Sequence, residues 1–449
     1  MINAKPDTRL PDWWEREKQR RLIRVLLFLF LLMALIGYFY YINNAGIVVV
    51  NGINFDTSHH IAFVRQEDNG DFALYAIRDD GTDERRLTHA DDKSVKSHPA
   101  WTFDGKSVLY ASNRNDNKVT QIYVLGSGEP AQLTYGAGNK SFPFVVPPDG
   151  SHAAFIVQGA IKTVKLNGEE VLQLLPQPRS TNVEDSTNGG IGHVEPTGPF
   201  LSLGFSADGT GVAGAQDMNG ELGGAHESIL EDQAVTCIPP GGGQTVVLAD
   251  ARGREVSVAW EPNGKRLATS FTERHRTDSE KDPNSTSFQD WQKLTGGKSQ
   301  ASLISGILIW SFDKSGPSPA TLFRCEGFSM EPKNIAWSPD GNNIAFEGWR
   351  LKSEGERELK GIVVLHVVGA GVLVDEAHID TVQYMLPATA DGKPQNPRWS
   401  PDGSKILYEM VHPSGKRDLW VINSDGTNPL NLTKGKGDNM DGAWAPLKP

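Results

Sequence analysis

The sequence predicts an all-β, seven-bladed β-propeller closed by strands from both termini and preceded by one N-terminal transmembrane helix. Three observations carry that prediction. A phrase built on an aromatic residue and an Asp-Gly or Asn-Gly pair recurs through the chain. The first and last copies are complementary fragments. One long apolar run stands by itself near the start.

That run comes first in the chain. Val25–Ile42 reads VLLFLFLLMALIGYFYYI, and no charged residue occurs from Val25 to Phe55. With its uncharged flanks it is long enough, at 1.5 Å per helical residue, to cross a hydrocarbon core of about 30 Å. Arg16, Lys18, Arg20, Arg21 and Arg24 precede it. By the positive-inside rule, residues 1–24 are cytoplasmic and everything after the helix is extracytoplasmic, either periplasmic or extracellular. Trp13 and Trp14 suit the inner interface; Tyr38, Tyr40 and Tyr41 suit the outer one. A cleaved signal peptide is the competing reading. It fits less well, because the basic region is long and the nearest small-residue site, at Ala45–Gly46, has Asn43 at its −3 position. Residues 25–42 are therefore expected as a signal-anchor helix, 43–58 as a linker and 59–449 as the propeller.

The repeats follow. HPAWTFDG starts at His98, SFPFVVPPDG at Ser141, LSLGFSADG at Leu201, EVSVAWEPNG at Glu255, NIAWSPDG at Asn334, NPRWSPDG at Asn396 and DGAWAP at Asp441. The corresponding anchors are Trp101, Phe144, Phe205, Trp260, Trp337, Trp399 and Trp444, spaced 43, 61, 55, 77, 62 and 45 residues apart. A base period near the low end of that range, with insertions, is what four short strands per unit produce. Strand A carries the anchor and Asp-Gly turns the chain into strand B. A second hairpin joins strands C and D, as in LYAIRDDGTDERRLT (Leu74–Thr88) and IYVLGSGEPAQLT (Ile122–Thr134). The last unit has only a strand A, around Trp444, and the first only strands B, C and D, from Ile61 to Thr88. Joined, they complete one blade, and closure removes the sheet edges an open array would leave. The units at 141 and 201 are the most degenerate, which leaves six or eight blades as alternatives.

The Ser-Pro-Asp-Gly phrases at Ser338–Gly341 and Ser400–Gly403, with the Leu-Thr pairs at 87–88, 133–134 and 432–433, resemble the repeats of TolB-type β-propellers. The non-catalytic propellers of prolyl-oligopeptidase relatives are similar. The resemblance spans roughly residues 59–446 and implies the fold. A TolB-type protein carries an N-terminal α/β domain where this chain has the apolar run, so Tol–Pal function is not implied.

Recognition is expected where connections are long. These are Gln177–Phe200 and His378–Gln395, read as D-to-A, and Asp217–Asp232, Thr272–Leu303 and Arg350–Leu359, read as B-to-C. In a propeller those two kinds of connection share one face, and C-to-D turns are expected to be short. Surface loops also lengthen at little cost, so insertion does not by itself mean recognition. Thr272–Leu303 holds Phe288 and Trp291 as its only aromatic residues, suited either to anchoring a partner or to packing on the rim. His193, His226, His275 and His378 fall in the same stretches, as does Tyr384. Loop histidines are ordinarily just solvated, and no metal or cofactor is expected.

Catalytic motifs fail on inspection. There is no G-x-S-x-G elbow; His226-Glu227 lacks the second His of a zinc helix; Gly297-Lys298-Ser299 lacks the first Gly of a P-loop. The repeated Asp residues are read as turn formers and the anchor tryptophans as core. Cys237 and Cys325, the only cysteines, allow at most one disulfide and no cysteine-based zinc site. Formal charge is −11, with residues 1–43 carrying seven Lys/Arg against four Asp/Glu and the remainder 37 against 51. An acidic propeller argues against a nucleic-acid partner. The expected function is a non-enzymatic protein-binding or scaffold subunit of an envelope or membrane complex. The alternatives are an enzyme acting on an extracellular polymer such as a glycan, and a peptide or small-molecule sensor using the propeller channel.

Overall fold

The computed structural model describes residues 53, 55–89, 93–115, 118–176, 199–217, 233–253, 256–262, 264, 266–274, 303–313, 316–326, 330–353, 356–367 and 384–447. Among them there is no helix, and none long and apolar enough to cross a membrane; the run Val25–Ile42 lies outside the described residues. Every strand belongs to one of seven four-stranded antiparallel sheets, so the fold is a seven-bladed β-propeller.

Blade 1 takes strand A from the far end of the chain (Asp438–Trp444) and B, C and D from the start (His60–Gln66, Phe72–Arg78, Arg85–Arg86). Blade 2 is Lys96–Trp101, Val108–Ser112, Gln121–Leu125 and Ala131–Gln132. Blade 3 is Lys140–Val145, His152–Val157, Ala160–Lys165 and Leu172–Leu175. Blade 4 is Gly204–Phe205, Val212–Asp217, Gln233–Ile238 and Val246–Gly253. Blade 5 is Val258–Trp260, Leu267–Arg274, Leu303–Asp313 and Gly316–Glu326. Blade 6 is Met330–Trp337, Asn343–Ser353, Glu356–His366 and Tyr384–Pro387. Blade 7 is Lys393–Trp399, Lys405–Val411, Arg417–Asn423 and Leu430–Asn431. The closure read from the repeat fragments is the one formed: Ile61 pairs with Trp444 and Gln66 with Asp438.

The blades are held by apolar contact across every seam. Alternate residues of one strand face opposite neighbours. In strand B of blade 1, Ile61 and Phe63 pack on Leu407, Leu419 and Val421 of blade 7, while Val64 packs on Tyr110 and Tyr123 of blade 2. Strands buried on both faces read as continuous apolar runs rather than alternating ones. Val108–Ser112, buried throughout, is the clearest case. Similar clusters fill the seams of blades 2 and 3, 3 and 4, 4 and 5, 5 and 6, and 6 and 7.

The repeated phrases have definite local work. Ser338 Oγ accepts from Asn343 N at 2.9 Å and donates to Asp340, whose Oδ1 in turn accepts from Asn342 N. Ser400–Asp402, Ser206–Asp208 and Thr102–Asp104 repeat that arrangement. Asp-Gly is thus a turn, with Gly341 and Gly403 supplying φ near +70°. In the Leu-Thr pairs, Leu87, Leu133 and Leu432 enter seams, and the Thr hydroxyls cap strand C by accepting from Leu74, Ile122 and Leu419 N.

Three assignments change. The residue in register with the tryptophans in blade 3 is Val145, not Phe144, because the turn there is one residue longer (Pro147-Pro148-Asp149-Gly150). Arg350–Leu359 is not a loop: the B and C strands of blade 6 run through it to a tight hairpin, with Ser353 opposite Glu356. His378–Gln395 is not a D-to-A connection either. Residues 384–387 are strand D, so the long connection, 367–383, joins C to D on the opposite face from the other insertions. Strand pairing makes both readings physical. The charged stretch around 350–359 continues a backbone ladder, which needs no apolar side chains.

Candidate functional site

The inner strands build a ring. Strand A of blades 2, 3, 6, 7 and 1 carries a β-bulge, and the bulged residue has left-handed φ in each case: His98 51°, Phe142 51°, Asn334 51°, Asn396 53° and Asp441 56°. Asn, Asp and His tolerate this region best among non-glycine residues. Register places Ser202 and Ser257 at the same position in blades 4 and 5. The channel is therefore lined at one level by Asp441, His98, Phe142, Ser202, Ser257, Asn334 and Asn396.

Several of these bulged N–H groups donate to a side chain of the preceding blade. His98 N donates to Asp441 Oδ2 (3.0 Å), Asp441 N to Glu409 Oε1 (2.9 Å), Asn396 N to Glu347 Oε1 (2.7 Å) and Asn334 N to Ser257 Oγ (2.8 Å). Glu347 also accepts from Asn334 Nδ2 and Trp349 Nε1, each at 2.7 Å. Glu347 and Glu409 occupy the same strand-B position in adjacent blades, opposite Lys333 and Gln395. Beside Glu409, Arg417 grips Asp438 with Nε and Nη2 at 2.9 and 2.7 Å, and lies 3.9 Å from Glu409 Oε2.

Burial sets the charges. It pushes the Glu409 carboxyl up; the Asp441 N–H bond opposes this, and the Asp441 charge adds to it. Burial also pushes the His98 imidazole down against the pull of Asp441, with Arg398 adding to the lowering. The His98 ring meets Phe142 at 4.5 Å between centroids. The site is thus a carboxyl of raised pKa and an imidazole of lowered pKa, with Asp441 bonded through its N–H to the Glu409 carboxyl and through its carboxylate to the His98 main-chain N–H.

On the face of the A–B and C–D turns, a cleft of about 540 Å³ opens between blades 6 and 7, walled by Trp399 and by Asp340, Asp402 and Asp425. Those carboxylates bond their own turns, which holds Asp340 and Asp425 below the usual carboxylate range. Among the described residues, no three His, Cys, Asp or Glu side chains converge to hold a metal ion. Cys237 is free and buried.

Of the residues singled out in the sequence, His193, His226, His275, Phe288, Trp291 and His378 lie outside the described residues. Tyr384 is the first residue of strand D in blade 6, opposite Val363. The ring was not anticipated, although its signal was present. In HPAW, NIAW, NPRW and DGAW a His, Asn or Asp stands three residues before each anchor.

No protein-family model matches the chain, and no curated protein sequence matches it. Solved structures do. TolB from Acinetobacter baumannii is similar over 91% of this chain and 70% of its own, with 16% identity and a TM-score of 0.42. An oligogalacturonate lyase from Vibrio parahaemolyticus is similar over 84% and 85%, with 13% identity and a TM-score of 0.42. A puromycin-hydrolysing peptidase from Mycobacterium tuberculosis is similar over 82% of this chain and 50% of its own, with 16% identity and a TM-score of 0.46. At such identities the likeness is one of β-propeller fold alone.

Proposed function

We propose that the chain is a membrane-anchored, extracytoplasmic β-propeller serving as a non-enzymatic protein-binding or scaffold subunit of an envelope or membrane complex. One observation carries the non-enzymatic part. The channel carboxylates Glu347, Glu409 and Asp441 each accept from main-chain N–H groups of the next blade, which is the work of a frame. The apolar run after a basic flank supports the anchor. Long connections leaving the B–C and D–A ends of blades 3 to 5 support recognition there. The test is purification of the full chain in mild detergent, with mass spectrometry of what accompanies it. A stoichiometric partner that is lost when residues 275–302 are deleted supports the reading. A lone monomer from native membranes overturns it.

A second reading, an enzyme acting on an extracellular polymer, is favoured by the raised Glu409 carboxyl and the lowered His98 imidazole, two perturbed groups on the same ring. Under it, E409Q abolishes turnover of a glycan substrate found by screening. Under the first reading, no glycan is turned over and E409Q retains partner binding.

A further inference from the structure

We propose that the channel wall of blades 6, 7 and 1 binds a small zwitterion, an α-amino acid or a short peptide, with its ammonium group on Asp441 and its carboxylate on Arg398. The proposal goes beyond the scaffold reading and does not depend on how the chain is anchored.

Most polar groups at this level of the ring are used by the frame. Asp441 Oδ2 accepts from His98 N, and Glu409 Oε1 accepts from Asp441 N. Glu347 accepts from Asn396 N, Asn334 Nδ2 and Trp349 Nε1. Arg417 is held by Asp438, and Lys333 lies over the Trp349 ring. The groups that the frame leaves unused fall on one stretch of wall. Among the described residues, Asp441 Oδ1 accepts no hydrogen bond. Asn334 Nδ2 donates to Asn396 Oδ1 at 2.9 Å, so the Asn396 amide NH₂ is left as a donor without a partner there. Asn334 is exposed, and Asn396 and Asp441 are half-buried, so these groups are open to the channel.

Arg398 supplies the opposite charge. Its neighbour Trp399 bonds to blade 6, and strand alternation turns Arg398 the other way, toward blade 1. Its charge acts on Glu409 in its own blade and on His98 two blades on, which places the guanidinium on the channel side between them. The side chain is exposed and makes no hydrogen bond or ion pair among the described residues. The fold does not require an arginine here. The same register position holds Ala443, Ala100, Phe144, Gly204, Ala259 and Ala336 in the other blades.

An unused carboxylate oxygen and an unused guanidinium on one wall suit a ligand that carries both charges. A simple cation would gain Asp441 but meet Arg398, and a simple anion the reverse. A zwitterion makes a charge-assisted bond to each, and the Asn396 amide adds a donor for its carboxylate. Phe142, 40% exposed and packed on the His98 ring, offers an apolar surface to the ligand's side chain.

The test is isothermal titration calorimetry on the full chain in dodecylmaltoside. The probes are leucine, leucyl-glycine and leucyl-glycyl-glycine, each also in N-acetylated and in C-amidated form. At least one zwitterion is expected to bind with one-to-one stoichiometry, and the preferred length separates an amino acid from a peptide as the source. Its blocked forms are expected to bind about tenfold more weakly or worse, the loss of one bond to a charged group. R398Q removes no hydrogen bond of the fold and is expected to abolish the preference for the free carboxylate over the amide. D441N keeps an acceptor for His98 N and is expected to abolish the preference for the free ammonium over the acetylated form. Absence of binding by all of the zwitterions at millimolar concentration overturns the proposal. Binding that R398Q leaves unchanged overturns it as well, because the ligand would then sit elsewhere on the chain.

Discussion

Glu409 shows what a single residue does in the ring. Its Oε1 accepts the Asp441 N–H, so it joins blade 7 to the closing strand of blade 1. Its folded pKa is raised by burial, so its titration favours the fold at acid pH. That contribution is lost as pH rises through the folded value, above which the buried charge is a burden. Glutamine keeps the acceptor and removes the charge. E409Q is expected to match or exceed the parent in melting temperature at pH 7, with any advantage fading toward pH 4. E409A leaves the Asp441 N–H unpaired and should cost about 1–3 kcal/mol. Asp418 behaves oppositely. It accepts from Thr433 Oγ1 (2.8 Å), Gly435 N (2.9 Å) and Asn431 Nδ2 (3.0 Å), and such bonds hold its carboxyl low against the effect of burial. The stability it adds is present above the unfolded carboxylate value and lost as pH falls through the folded one. D418N should lower stability by about 1–3 kcal/mol at pH 7, with the deficit shrinking below about pH 4. Denaturant melts across that range check both residues.

At the scale of strands, the anchor tryptophans do more than fill seams. The indole N–H of Trp101, Trp260, Trp337, Trp399 and Trp444 donates to a strand-A carbonyl of the preceding blade: Ala443, Gly204, Ala259, Ala336 and Arg398 respectively, at 3.0–3.2 Å. Blades 3 and 4 have Val145 and Phe205 at this register position; at the seam between them Phe205 stacks on Phe144 instead. Trp337→Phe should therefore cost about 1–3 kcal/mol, combining a lost bond, an unpaired carbonyl and a small void. Chemical denaturation of the variant checks this, and Phe205→Tyr serves as a control at a seam without the indole bond. Blade count and closure were legible because each seam needs the same residues at the same offset. The recurrence of aromatic, Asp-Gly and Leu-Thr phrases reports that need directly. The channel ring was legible only as a letter before each tryptophan, since bulge geometry has no period to detect. The blade 6 connections were misplaced because Arg350–Leu359 is charged and Tyr384–Pro387 is short. Backbone pairing imposes little on composition where a strand extends past the core.

At the scale of the molecule, closure is the feature on which the other contacts depend. Strand Asp438–Trp444 brings Asn439 to Arg65 Nε at 2.7 Å, Asp438 to Arg417, Asp441 to His98 and Trp444 to blade 7. Arg65 lies over the Tyr75 ring at 4.4 Å and donates to Glu84 at 2.6 Å, so the same seam holds strands B, C and D of blade 1. Without that strand, His60–Gln66 becomes an open apolar edge, a template for pairing with other chains. Cys237 is a reporter for the consequence. It lies in blade 4, far along the chain from the seam, and burial pushes its thiol up to about 12, so in the native fold it is inert to alkylation. In a Cys325→Ser background, the parent should react only under denaturing conditions. Deleting residues 438–449 should make Cys237 react in native buffer and shift the protein to oligomers in size exclusion with light scattering. A synthetic peptide of residues 436–449 should restore protection, because it supplies the missing partner for His60–Gln66. Protection that survives the deletion would mean that blades 2 to 7 hold together without the closing strand. The stability of the fold would then reside in the individual seams rather than in the completed circle.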